Sequence, residues 1–255
     1  MMSLFRKKIF FFHSLFLIVL ASGFIWPNLY YWSLLVFNVI FLIFVLMFNS
    51  ILLDKKRLSF FILPFLFINS LALYSSLLIN KWLILGMILS AMFFSYYYFV
   101  EFRLRLNRDF DFNLGNFFVL SDVEGLLLVF LGASFIYSLP YFLNFKNWML
   151  LIIIVLILFF AIWQNILIVN KQKQKQETLR SSFLFLLVLL PIVGSLFFLP
   201  FNFNVLGLIL TLCYYTGLSF IRFHLSETLT NKKIKYNLIF IIVLLLTIFL
   251  TVRWR

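Results

Sequence analysis

Long apolar runs, each close to twenty residues and divided by short polar breaks, recur from one end of this chain to the other. Trp148 to Val169 is the clearest: it carries no charge, and its only polar side chains beyond the two tryptophans are Gln164 and Asn165. A helix rises about 1.5 Å per residue, so roughly twenty residues cross the ~30 Å hydrocarbon layer of a bilayer. Water would need polar surface to cover such runs. With 65% hydrophobic and 11% charged residues in 255, the chain has too little of it.

Marking each run predicts nine spans, at 9–26, 32–53, 58–79, 82–100, 125–142, 148–169, 182–199, 203–221 and 236–252. Several boundaries carry turn or anchor chemistry. Pro27 and Asn28 turn the chain after the first span, and Tyr30, Tyr31 and Trp32 suit the membrane interface. Pro64 falls near the start of the third span, where a bend is tolerated, and Pro191 falls inside the seventh, where a kink is expected. Arg6, Lys7 and Lys8 followed by an apolar run also describe a secretory signal. A retained helix is preferred, because Leu17–Trp26 resembles the internal segment Leu128–Tyr137, 111 positions later.

Counting basic residues on alternate sides of the nine spans gives 17 on the side of the N-terminus and 4 on the other. Cytoplasmic loops hold the excess of Lys and Arg. The expectation is a multi-pass cell-membrane protein with its N-terminus in the cytoplasm and its C-terminus outside. The net charge of +13 does not indicate nucleic-acid binding, because the basic residues sit in short clusters between apolar spans.

Internal similarity suggests a duplication. Ile84–Leu104 aligns without gaps to Val205–Leu225, with seven of 21 pairs identical, among them Gly86/Gly207 and Ile88/Ile209. Weaker matches link the first span to the fifth, the second to the sixth and the third to the seventh. The predicted fold is an all-α transmembrane bundle of two parallel four-helix repeats and one C-terminal helix. Residues 1–105 would form the first repeat, 106–121 a cytoplasmic linker, 122–225 the second repeat, and 226–255 a basic loop with the ninth helix. Phe/Leu/Ile-rich spans also align by chance, which is the competing explanation.

Chemistry-bearing patterns are sparse. There is no HExxH and no GxSG turn, and the only histidines are His13 and His224. The single Cys213 excludes an internal disulfide and suits packing in its apolar span. All eight acids fall in predicted loops or helix ends. Ser121-Asp122-Val123-Glu124 reads as a capping box opening the fifth helix, with the Ser hydroxyl and the Glu carboxyl satisfying backbone N–H groups. His13 lies about one turn inside the basic end of the first span, where a neutral imidazole is tolerable.

Two candidate sites remain. Ser90 and Thr211, each one turn from Gly86 and Gly207, would line a cavity or simply pack. Arg103, Arg105, Arg222 and His224 would meet lipid headgroups. The reading with fewest assumptions is a subunit or scaffold of a membrane assembly, without enzymatic activity and without cofactor or metal. Its partners would be the bilayer and another membrane protein or further copies of the chain. A carrier or flippase for an amphipathic substrate, working between the repeats, is the alternative. Behind it stands an enzyme acting on lipid-linked substrate at the cytoplasmic face, using the charged residues between Glu101 and Glu124.

Overall fold

The computed structural model describes residues 2–52, 60–107, 115–169, 175–225 and 230–251. Within them the chain forms nine α-helices and no strand. They are α1 (Met2–Ile25), α2 (Tyr30–Leu52), α3 (Ile62–Ser75), α4 (Lys81–Asn107), α5 (Gly115–Leu143), α6 (Asn147–Val169), α7 (Lys175–Leu196), α8 (Phe203–Leu225) and α9 (Asn231–Thr251). A 3-10 turn at Pro27–Leu29 joins α1 to α2. The protein is an all-helical, polytopic membrane bundle.

Eight of these helices are long and apolar enough to cross a membrane. The exception is α3, whose 14 residues reach about 21 Å. Its first residue is Ile62, later than the start expected at position 58, and residues 53–59 lie outside the described part. Much of α3 is buried, including Leu63, Pro64, Phe67, Ile68 and Leu71.

Helix ends follow from local side chains. The Asn80 Oδ1 accepts the backbone N–H groups of Trp82 at 3.0 Å and Leu83 at 3.4 Å, capping α4. Asn144, with φ of 52°, turns the chain after α5, a left-handed conformation that Asn tolerates. Pro140 and Pro191 are accommodated inside α5 and α7.

The chain divides into two compact units, Met1–Glu124 and Gly125–Arg255. The boundary falls within α5. In the first unit α1 packs on α2 and α4, and α3 packs on α4. Its core is aromatic: Phe16, Phe37, Phe44 and Phe99 are each fully buried. The Phe16 ring lies 5.2 Å from Phe37 and 5.9 Å from Phe44, and Phe44 lies 5.2 Å from Phe99. Two tyrosines tie in α3 and the turn before it. Tyr30 donates to the Ala72 carbonyl at 2.8 Å and Tyr98 to that of Phe60 at 3.0 Å.

In the second unit α6 packs on α7 and α8, and α8 carries α9. Small residues let backbones approach there. A Cβ on Gly207 of α8 would overlap the Ser134 hydroxyl of α5 and come within 3.0 Å of the Phe130 carbonyl. Such close approach is a common way for helices to associate where lipid offers no hydrophobic drive.

Candidate functional site

The densest polar cluster of the second unit lies at the end where α6 stops and α7 begins. The sequence builds it by interrupting the apolar α6 with Gln164 and Asn165, both buried. The Asn165 amide donates to the Ala161 carbonyl at 3.0 Å and to the Tyr214 hydroxyl of α8 at 2.8 Å. Its Oδ1 accepts from Arg222 Nη2, about two turns further along α8, at 3.4 Å. Asn165 thereby satisfies both its donors and its acceptor.

Gly125 of α5 makes room for this amide. A Cβ there would stand 2.6 Å from Asn165 Nδ2 and 3.2 Å from the Tyr214 hydroxyl. On the opposite side, the Tyr214 ring stacks on Phe185 of α7, with centroids 6.4 Å apart. Gly217 is what admits Phe185, since any Cβ there would overlap its ring. Four helices therefore meet through Asn165 and Tyr214. The arrangement fixes a half-buried guanidinium at the end of α8, and it has the makings of a helix clamp or an anion contact. It offers no nucleophile paired with a base.

In the first unit a separate polar contact joins His13 of α1 to Ser95 of α4. His13 Nδ1 lies 2.9 Å from the Ile9 carbonyl and Nε2 lies 3.3 Å from Ser95 Oγ. The first nitrogen therefore donates, and in the neutral ring the second accepts the serine proton. Rings of Phe16, Phe44, Tyr96 and Phe99 surround the imidazole at 5.6 to 6.1 Å. Ser95 is fully buried and His13 nearly so, and the pair ties α1 to α4.

The residues singled out from the sequence fall in unlike places. Gly86 and Ser90 are exposed on α4: a Cβ on Gly86 meets nothing within 4 Å, and the Ser90 hydroxyl donates back to Met87 at 2.9 Å. Thr211 is half-buried and donates to the Gly207 carbonyl at 2.7 Å. Thus each glycine is near its own hydroxyl residue, but only Gly207 sits in an interhelical contact. Arg222 belongs to the Asn165 cluster, and His224 is exposed in the last turn of α8. The side chains of Arg103 and Arg105, and residues 108–114 with Asp109 and Asp111, lie outside the described part. An apolar space in the second unit, lined by Val129, Ala133, Ile136, Ile154, Leu158 and Leu210, admits no water-sized sphere.

The capping box does not form. α5 begins at Gly115, within the segment expected to be a linker, so Ser121 and Glu124 lie two turns inside the helix. Both are buried, Glu124 completely. The run Phe117-Phe118-Val119-Leu120 extends the apolar helix upstream, and the membrane-spanning stretch becomes Phe117–Leu143. An acid therefore does lie within a span, against the sequence expectation. Among the described residues no group of three His, Cys, Asp or Glu side chains is placed to hold a metal. Compared with family models, with curated proteins and with solved structures, the chain matches none.

Proposed function

We propose that this integral membrane protein is a non-catalytic component of a larger membrane assembly, a subunit or scaffold. The observation that carries the reading is α9. None of its spanning stretch Ile234–Thr251 is buried. One stripe, including Ile234, Asn237, Ile241 and Ile248, is half-covered, while Ile242, Val243 and Leu246 are each more than half exposed. Its basic start at Lys232 and Lys235 suits the cytoplasmic headgroups. The outward face is available to another membrane protein or a further copy of the chain. The 17-to-4 distribution of basic residues supports a cytoplasmic N-terminus and an outward C-terminus, given nine crossings that include the short α3.

The test is a photo-reactive residue at Ile242 or Leu246, activated in native membranes. A discrete protein adduct, absent when the probe sits at the half-covered Ile241, is the expected result. Lipid adducts alone at all three positions would remove the basis for the assembly reading.

A second reading, a carrier for an amphipathic substrate, draws support from the buried acid Glu124 inside a spanning helix. Intramembrane ionisable residues are costly and are commonly retained for transport.

A further inference from the structure

Glu124 is set into the most buried stripe of α5. Phe117, Ser121, Glu124, Leu128 and Leu131 recur at helical spacing, and each is at most 2% exposed. Among the described residues neither carboxyl oxygen of Glu124 has a hydrogen-bond partner. The side chain lies about 9 Å along the axis from the middle of the Phe117–Leu143 stretch, well inside a hydrocarbon layer. A bare carboxylate is not tolerated in such a place; it is neutralised by a bound cation or it acquires partners.

Glu124 also has a counterpart in the first unit. The offset of 111 that pairs Leu17–Trp26 with Leu128–Tyr137 pairs His13 with Glu124. These two are the buried His or acidic side chains among the described residues, each on the first helix of its predicted repeat. His13 has both ring nitrogens engaged, at 2.9 and 3.3 Å, whereas the Glu124 oxygens accept no hydrogen bond from the described residues. One position is thus closed by protein partners and the other is open to a ligand of opposite charge and small size.

We propose that Glu124 is an intramembrane site for a small monovalent cation, a proton or a sodium ion. Along its own helix the residues sharing its buried stripe are apolar apart from Ser121, so α5 itself offers no cation to pair with the carboxylate. The inference stands apart from the assembly reading: a subunit and a carrier could each use such a site.

The test is isotope-edited infrared spectroscopy of the protein in lipid nanodiscs at neutral pH, in choline buffer free of alkali metal. Glutamate is labelled at its side-chain carboxyl carbon. To avoid relying on a variant at a buried position, the protein carries Glu101→Gln, Glu177→Gln and Glu227→Gln, leaving Glu124 as the single glutamate. The expected result is a labelled carbonyl band of an un-ionised carboxyl. If the band persists when sodium is added, the ligand is the proton; if it falls with sodium but not potassium, the ligand is sodium. A labelled carboxylate signal with no un-ionised band in choline buffer would overturn the proposal, since Glu124 would then be held ionised by protein partners.

Discussion

Gly86 and Gly207 hold matching places in the aligned stretches 84–104 and 205–225, yet α4 and α8 bury faces turned about a third of a turn from each other. On α4 the buried residues include Ile84, Ile88, Ala91, Met92, Ser95 and Phe99. On α8 they include Leu206, Gly207, Ile209, Leu210 and Tyr214, and the α4 residues aligned with three of these, Gly86, Leu89 and Phe93, are exposed. Ile88/Ile209 is a pair buried in both. The lesson is specific to membranes. Lipid tails are as apolar as leucine, so an apolar face carries no instruction to turn inward. What selects the face is the partner: aromatic rings from α1 and α2 in the first unit, a serine and a backbone carbonyl of α5 in the second.

Substitutions at three sites of interhelical contact, each with a control or a partner change where one is needed, sharpen this contrast when thermal unfolding is followed in nanodiscs. The largest effect is expected from Phe44→Ala, which empties a site in contact with several rings and costs about 3 kcal/mol. An effect below that of a surface change would show that the first unit does not rest on its aromatic core. Next comes Gly207→Ala, where the new Cβ meets Ser134 and the Phe130 carbonyl. The expected cost is roughly 2 kcal/mol, while Gly86→Ala, with open space, is neutral or stabilising by up to about 1 kcal/mol. Equal responses at the two glycines would break the comparison. The smallest is Tyr214→Phe, which removes the acceptor of the Asn165 amide and costs about 1 kcal/mol. Adding Asn165→Leu should then cost less than Asn165→Leu does alone, because the two residues share one bond.

Much of the architecture was legible in the sequence because a span is a one-dimensional signal. Length, apolarity and the charges at each end located all nine helices, and Pro191 fell inside its helix as expected. Two features were not legible. The short α3 was drawn to full span length, because the apolar residues after it, Leu77 to Ile79, leave the helix as a turn and coil. The start of α5 lies upstream of the position its Ser-x-x-Glu pattern marks, because that pattern caps helices at water-exposed chain ends. Here Phe117 packs against Tyr98, with ring centroids 5.0 Å apart, and carries the helix past that point. The polar cluster had a readable trace in Gln164-Asn165, two carboxamides in an otherwise apolar run. Its partners Gly125, Tyr214 and Arg222 come from other helices, and only the fold assembles them.

The burial of Glu124 within a membrane-spanning helix is the claim on which most depends, and cysteine accessibility tests it directly. In a Cys213→Ser background, Glu124→Cys and the exposed control Lys232→Cys would be treated with a membrane-impermeant maleimide in opened membrane vesicles. The account predicts that the control reacts readily while position 124 reacts only after denaturation in detergent. Reaction at position 124 as fast as at 232 would contradict it and return Ser121–Glu124 to the surface as a helix cap.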